Sequence, residues 1–114
     1  MDLYDILYNT AMKSNLIHKY SCAIILRNKI LSIGYNYYKA KSWSTDIYEC
    51  NKYSIHAEKH AIMKIKNKNI LKYCKIYIIK IKNNDIEDGI PCPMCYHLLN
   101  KYKLNIKEFD KIII

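Results

Sequence analysis

Apolar residues at helical spacing open the chain. Leu3, Ile6, Leu7, Thr10 and Ala11 make one face of a helix expected from residue 2 to about residue 13. Asp2 is placed to cap it, and Asp5 puts a negative charge in the first turn, where the helix dipole favours one. Tyr4 and Tyr8 flank that face as packing residues, and Ser14-Asn15 ends the period. Two short β-branched or apolar runs follow, Cys22 to Leu26 and Ile30 to Ile33. The polar Arg27-Asn28-Lys29 between them predicts a hairpin, and Gly34 is expected to end its second strand. A helical period returns from Ser54, a candidate cap, to about Lys66, with Ala57, Ala61, Ile62 and Ile65 turned inward until Asn67-Lys68-Asn69 stops it. Ile76 to Ile81 reads as a strand. Asn83 to Gly89 reads as a solvated turn whose three acids lack the ligand spacing of a cation site. A third helix is expected from Pro91 to Tyr102, with Pro93 tolerated in its first turn and Leu98, Leu99 and Tyr102 on its buried side. Phe109 to Ile114 would close the chain as a last strand. The order helix, hairpin, helix, strand, helix, strand predicts a mixed sheet with helices packed on it, in one domain spanning residues 1–114.

Composition narrows the class. With 114 residues, 51% of them apolar, the chain can build one real core and is not a disordered tail. No apolar run is long enough for a bilayer, and the acidic start Met1-Asp2-Leu3-Tyr4-Asp5 is unlike a secretory signal. A soluble, cytoplasmic protein with no membrane partner is expected. Five cysteines, an odd number with one x-x-spaced pair behind a proline, point to metal or catalysis rather than to a disulfide framework. Cys22 and Cys74 border strand-like runs as small core residues, while Cys50 lies in a polar stretch as a free thiol or an additional metal contact. The formal charge of +9 has the footprint of a phosphate binder. Its lysines, however, are spread along the whole chain in a composition saturated with Ile, Asn and Tyr. The charge therefore suits a nucleotide phosphate as well as a polynucleotide, and nucleic acid is the less favoured partner.

The chemistry concentrates at His56-Ala57-Glu58 and Pro91-Cys92-Pro93-Met94-Cys95. A catalytic zinc takes three protein ligands and keeps its fourth position for water. Cys92 and Cys95 stand three apart at a helix start, so their sulfurs fall on one side, and the helix N-terminus favours thiolates. With a neutral His56 the zinc site carries no net charge, so a local base becomes important, and Glu58 can fill that role. His60, four residues after His56, lacks the glutamate directly after the first histidine that the zinc-protease pattern needs, since Ala57 stands there. It is expected to be a packed or solvated helix residue, and His97 to lie outside the ligand set. A closed zinc site that only staples the fold would need His60 or Cys50 as a fourth ligand. Residues 35 to 53, the longest stretch without a period, lead into His56. Their aromatics, Trp43 among them, with Lys39 and Lys41 interleaved, could hold a base and a phosphate or equally cover a thin core.

These motifs, together with Cys22-Ala23-Ile24-Ile25 and Ile33-Gly34-Tyr35-Asn36, make the chain resemble the cytidine and deoxycytidylate deaminase superfamily over most of its length. The resemblance implies a three-layer α/β/α sandwich, truncated at the C-terminus, with a sheet edge that a second copy would cover as a homo-oligomer. It implies Zn2+ held by His56, Cys92 and Cys95, and Glu58 as proton shuttle. Ala57 would present its backbone N–H to the base carbonyl, and Asn36 would reach the sugar or base. Pro93-Met94 is similar to guanine and tRNA adenosine deaminases, which usually carry glutamate where this chain has Ile90. The hairpin and its Gly-Tyr-Asn ending resemble the cytidine and deoxycytidylate type more. The expected activity is conversion of a cytosine-type nucleoside or nucleotide to its uracil form. The alternatives are a deaminase of bases within RNA or DNA and a catalytically silent, zinc-stabilised binding module.

Overall fold

Alternation along one strand decides the architecture. In β1 (Lys19–Leu26), Cys22 and Ile24 pack to one side of the sheet and Ala23 and Ile25 to the other. The neighbouring β5 (Lys75–Lys82) repeats this, with Ile76 and Ile78 facing one way and Tyr77, Ile79 and Ile81 the other. A sheet apolar on both faces must be covered on both. Helix α1 (Leu3–Ala11) covers one face through Leu7 and Ala11. Helices α2 (Ala57–Met63) and α3 (Pro93–Lys101), with a 3-10 helix (Lys68–Tyr73), cover the other through Ala57, Ala61, Leu71 and Leu99. The computed structural model describes residues 2–16, 18–38, 54–82, 85–89 and 91–107, and these form the expected three-layer α/β/α sandwich. Among them no helix is long and apolar enough to cross a membrane.

The sheet runs β2 (Lys29–Tyr35), β1, β5, β6 (Asp85–Asp88), with all neighbours antiparallel. Strand β7 (Asn105–Lys107) also pairs with β5, parallel to it, so the sheet is mixed. The β1–β2 hairpin turns on Arg27 and Asn28, with φ of 51° and 66°. Two left-handed residues in succession match the twist of the strands they join; asparagine tolerates that region and arginine is strained by it. Lys29, expected in the turn, belongs to the second strand.

Other expectations change as well. The acidic segment after β5 is a strand, β6, because Ile86 packs into the α1-side cluster with Leu7 and Ile79 and draws its neighbours into register with β5. The second helix starts at Ala57, not Ser54: Ser54–Ile55 is instead a two-residue strand, β4, paired with β3 (Tyr37–Tyr38). That helix stops at Met63, short of the expected Lys66, and Lys68 to Tyr73 form a separate 3-10 helix capped by Asn67. The strand at Asn105–Lys107 was not anticipated, and the one expected at Phe109 to Ile114 lies outside the described residues. Asp2 caps α1 as expected, its Oδ1 accepting from Asp5 N at 2.9 Å, and Cys22 and Cys74 are core residues.

Gly34 does not end its strand. A Cβ there would lie 2.4 Å from Ala57 O and 2.6 Å from Ala61 N, so only glycine lets α2 come this close to β2. Small polar side chains then tie the helix down. Cys22 Sγ donates to Ala57 O at 3.2 Å and Ser32 Oγ to Ala61 O at 2.7 Å. Lys64 Nζ donates to Ile33 O at 2.7 Å. On the opposite face Ser21 Oγ does the same for α1, donating to Leu7 O at 2.6 Å. The start of α2 is thereby fixed against the sheet, and His56 with it.

Candidate active site

Two helix starts converge on one point. His56 is the N-cap residue of α2, and its side chain makes no capping hydrogen bond, which leaves the ring free for other use. Cys92 is the N-cap of α3, with Sγ accepting from Cys95 N at 3.4 Å and Pro93 in the first turn, where its missing N–H costs nothing. Cys95 follows one turn later and is buried. His56 Nδ1 lies 3.2 Å from Cys95 Sγ and 3.4 Å from Cys92 Sγ, and the three donor atoms all fall within 4.8 Å of one another. A tetrahedral zinc with ordinary Zn–N and Zn–S bonds would hold a nitrogen and a sulfur about 3.6 Å apart. The donor types and separations fit Zn2+, and Nδ1 is the ring nitrogen that would bind.

Among the described residues this group has three members, the number a catalytic zinc takes when its fourth position is kept for water. His60 does not fill it. Its Nδ1 lies 3.1 Å from both the N and the O of Tyr35, and its ring sits edge-on to Tyr35 and Tyr37, with centroids 4.9 and 5.0 Å away. His60 therefore joins α2 to the end of β2, a role its spacing from His56 did not reveal. His97 is exposed, and Cys50 lies outside the described residues. With Cys92 replaced by serine, one of two thiolates is lost, and metal analysis should find zinc reduced well below one per chain. Full occupancy would overturn the ligand assignment.

Burial and the nearby Lys64 charge push the His60 pKa down, so folding favours its neutral form. A depressed pKa contributes stability that is complete above the unfolded value of about 6.5. That contribution is lost as pH falls below this value, because the unfolded chain then binds a proton the native one resists. Denaturant titrations should show wild type losing more stability than His60→Gln between pH 7.5 and 5.5. Parallel losses would remove His60 from the account.

Glu58 is the second residue of α2 and only 4% exposed. Burial first, and then the Glu58 charge, hold the Cys95 thiol far above its ordinary range. A buried carboxylate next to a thiol suits a cation between them, because the metal replaces the thiol proton and relieves the repulsion. Ala57 is buried at the first helical position, where its N–H has no partner within the helix, and its carbonyl receives Cys22. Asn36 is buried and engaged at both ends: Oδ1 accepts from Tyr20 N at 2.9 Å, and Nδ2 donates to His18 O at 2.6 Å. One donor and one acceptor site of its amide remain. Trp43 lies outside the described residues.

Comparison with known proteins agrees with this arrangement. Residues 3–109 match the family model described as the cytidine and deoxycytidylate deaminase zinc-binding region. The dCMP deaminase of cyanophage S-TIM5 superposes with a TM-score of 0.61 at 17% identity, covering 94% of this chain and 87% of the phage enzyme. Its complex with dCMP and dUMP gives 0.63 at 16% identity, covering 94% and 85%. The cytidine deaminase of Mycobacterium leprae gives 0.58 at 14%, covering 99% and 98%. No curated protein sequence matches the chain. At these identities the likeness is one of fold. The match to the family model spans nearly all of the sequence, and its zinc-binding region is the one that His56, Cys92 and Cys95 supply here. The chain belongs to the cytidine and deoxycytidylate deaminase zinc-binding family.

Proposed function

We propose that the protein hydrolyses a cytosine-type nucleoside or nucleotide (cytidine, deoxycytidine or dCMP) to its uracil counterpart with release of ammonia. The observation that carries this is the buried Glu58 carboxylate beside the three-donor metal group that the described residues form. A zinc that only stapled the fold would have no use for it. Solved relatives named as dCMP and cytidine deaminases, one of them bound to dCMP and dUMP, support the substrate class.

Zinc, when bound, makes water a competent nucleophile near neutral pH. The residues of the chain do the rest. Glu58 accepts a proton from the attacking water and passes it to the ring nitrogen next to the amino-bearing carbon. It then carries the second water proton to the amine, so the C–N bond breaks with ammonia leaving and a carbonyl remaining. The Ala57 N–H, at the start of α2, would hold the base carbonyl, helped by the helix dipole. The free donor and acceptor of Asn36 would meet the sugar or base, and Trp43 would contribute from the 35–53 segment. We further propose that the single domain acts in the cytoplasm as a homo-oligomer. The outer edges of β6 and β7, which pair only with β5 among the described residues, support this.

The test is to incubate the zinc-loaded protein with cytidine, deoxycytidine, their monophosphates and a mixed-sequence single strand, and to follow ammonia. Release from one or more of the small substrates is expected. Activity confined to the polynucleotide would replace this proposal with base editing in a strand, and zinc-loaded protein inert toward the whole panel would replace it with a silent binding module.

A further inference from the structure

The metal-binding group sits at the N-termini of α2 and α3, and the C-termini of both helices point away from it. Register shows what lies at that far end of the sheet. Lys75 opens β5 opposite Ile25 of β1 and Asn105 of β7, and the β1–β2 turn follows one residue beyond Ile25. Three segments distant in sequence, residues 25–29, 66–75 and 101–105, therefore meet there, and none contains an aspartate or glutamate. The hairpin contributes Arg27 and Lys29, both exposed. The 3-10 helix and the start of β5 add Lys72 and Lys75, and the end of α3 adds Lys101 and Lys103, again all exposed. Lysines that look evenly spread along the chain are gathered by the fold into one pole, while Asp2 and Asp5 open α1 on the opposite face of the sheet. The pole lies about 13 Å, the length of a nine-residue helix, from the metal group. A small nucleotide held at that group does not need it.

The pole also carries aromatic rings. Tyr73 is 67% exposed, with Lys72 Nζ 5.2 Å from its ring centroid. Tyr102, at the end of α3, has Lys101 Nζ 5.5 Å from its own. An open ring among cations is the arrangement on which an unpaired base stacks while its phosphates meet lysines. A duplex has no free base face to offer Tyr73, and an acidic protein would use only the charge. A membrane surface would ask for a broader apolar face than Tyr73 and the nearby Met63 provide. We propose that this pole is a docking surface for single-stranded nucleic acid, separate from the metal-binding group.

The zinc-loaded full chain is titrated against a fluorescein-labelled mixed-sequence strand of about 20 nucleotides, as RNA, as DNA and as the DNA duplex, over a salt series. Single strands should bind more tightly than the duplex. For four phosphates neutralised, log K against log salt should slope at about −3. Tyr73→Ala should weaken single-strand binding roughly tenfold. The Lys72→Gln/Lys75→Gln pair should weaken it and flatten the slope by about 1.4. A pair matched in charge but away from the pole, Lys13→Gln/Lys59→Gln, should stay within twofold of wild type. Equal losses in the two pairs would overturn the proposal, as would full binding by Tyr73→Ala. So would preference for the duplex, for polyglutamate or for phosphatidylserine vesicles, three results that need no variant. Binding rather than turnover is read, so the outcome is independent of the proposed deaminase activity.

Discussion

Replacing Glu58 by glutamine should lower deamination by about 10²–10⁴-fold while leaving zinc content unchanged, since a positioned general acid–base contributes on that order. Glutamine keeps the volume of the buried side chain, so the fit between α2 and the metal group is preserved. What it removes is the capacity to accept a proton from water and return it to the ring and the amine. Glu58 is no member of the three-donor group, and zinc is therefore retained. Loss of the carboxylate charge also relieves one of the causes that raise the Cys95 thiol, so metal uptake should be no weaker than in wild type. Paired measurements of metal content and ammonia release decide the matter. Turnover within tenfold of wild type would remove Glu58 from the chemistry, and a loss that tracked zinc content would recast it as a support of the metal site.

The second large effect is expected on stability. Gly34→Ala places a methyl group 2.4 Å from Ala57 O and 2.6 Å from Ala61 N, both backbone atoms of a packed helix that cannot swing aside. Overpacking of this kind typically costs 1–3 kcal/mol, and with backbone on the receiving side a loss of about 3 kcal/mol is expected. To escape it, α2 must lift from β2. That lengthens the bonds from Cys22 to Ala57 O and from Ser32 to Ala61 O, and carries His56 and Glu58 away from Cys92 and Cys95. Urea unfolding should show the lower midpoint, and zinc affinity should fall with it. A variant as stable as wild type would mean that α2 does not depend on this close approach.

Much of the site was legible in the chain because donor types and spacings are local properties. Cys92 and Cys95 share one side of a helix start whatever the rest of the protein does, and a histidine two residues from a glutamate is visible without a fold. A mixed sheet with helices packed on it was legible from the periods, while the three layers were implied by the family resemblance. In the structure they follow because β1 and β5 carry apolar residues in succession and so ask for cover on both faces. The acidic strand β6 was not legible, because four residues with one apolar side chain, Ile86, lack a period to read, and only pairing with β5 makes them a strand. Ser54–Ile55 was absorbed into the following helix because two-residue strands exist through their partners alone.

By itself, the sequence determined the chemistry available: two thiolates, an imidazole and a carboxylate, set in segments whose own periodicity names them helix starts. The tertiary structure decided which groups are used and which are held. It turned Gly34 from a strand end into a seat for α2, locked Asn36 to the backbone of residues 18 and 20, and took His60 out of reach of the metal group by joining it to Tyr35. It also gathered scattered lysines into one pole. The physical reason is common to all four. Periods of 3.6 and 2 are written along the chain, whereas the approach of one element to another depends on register and packing between segments that the order of residues does not place side by side.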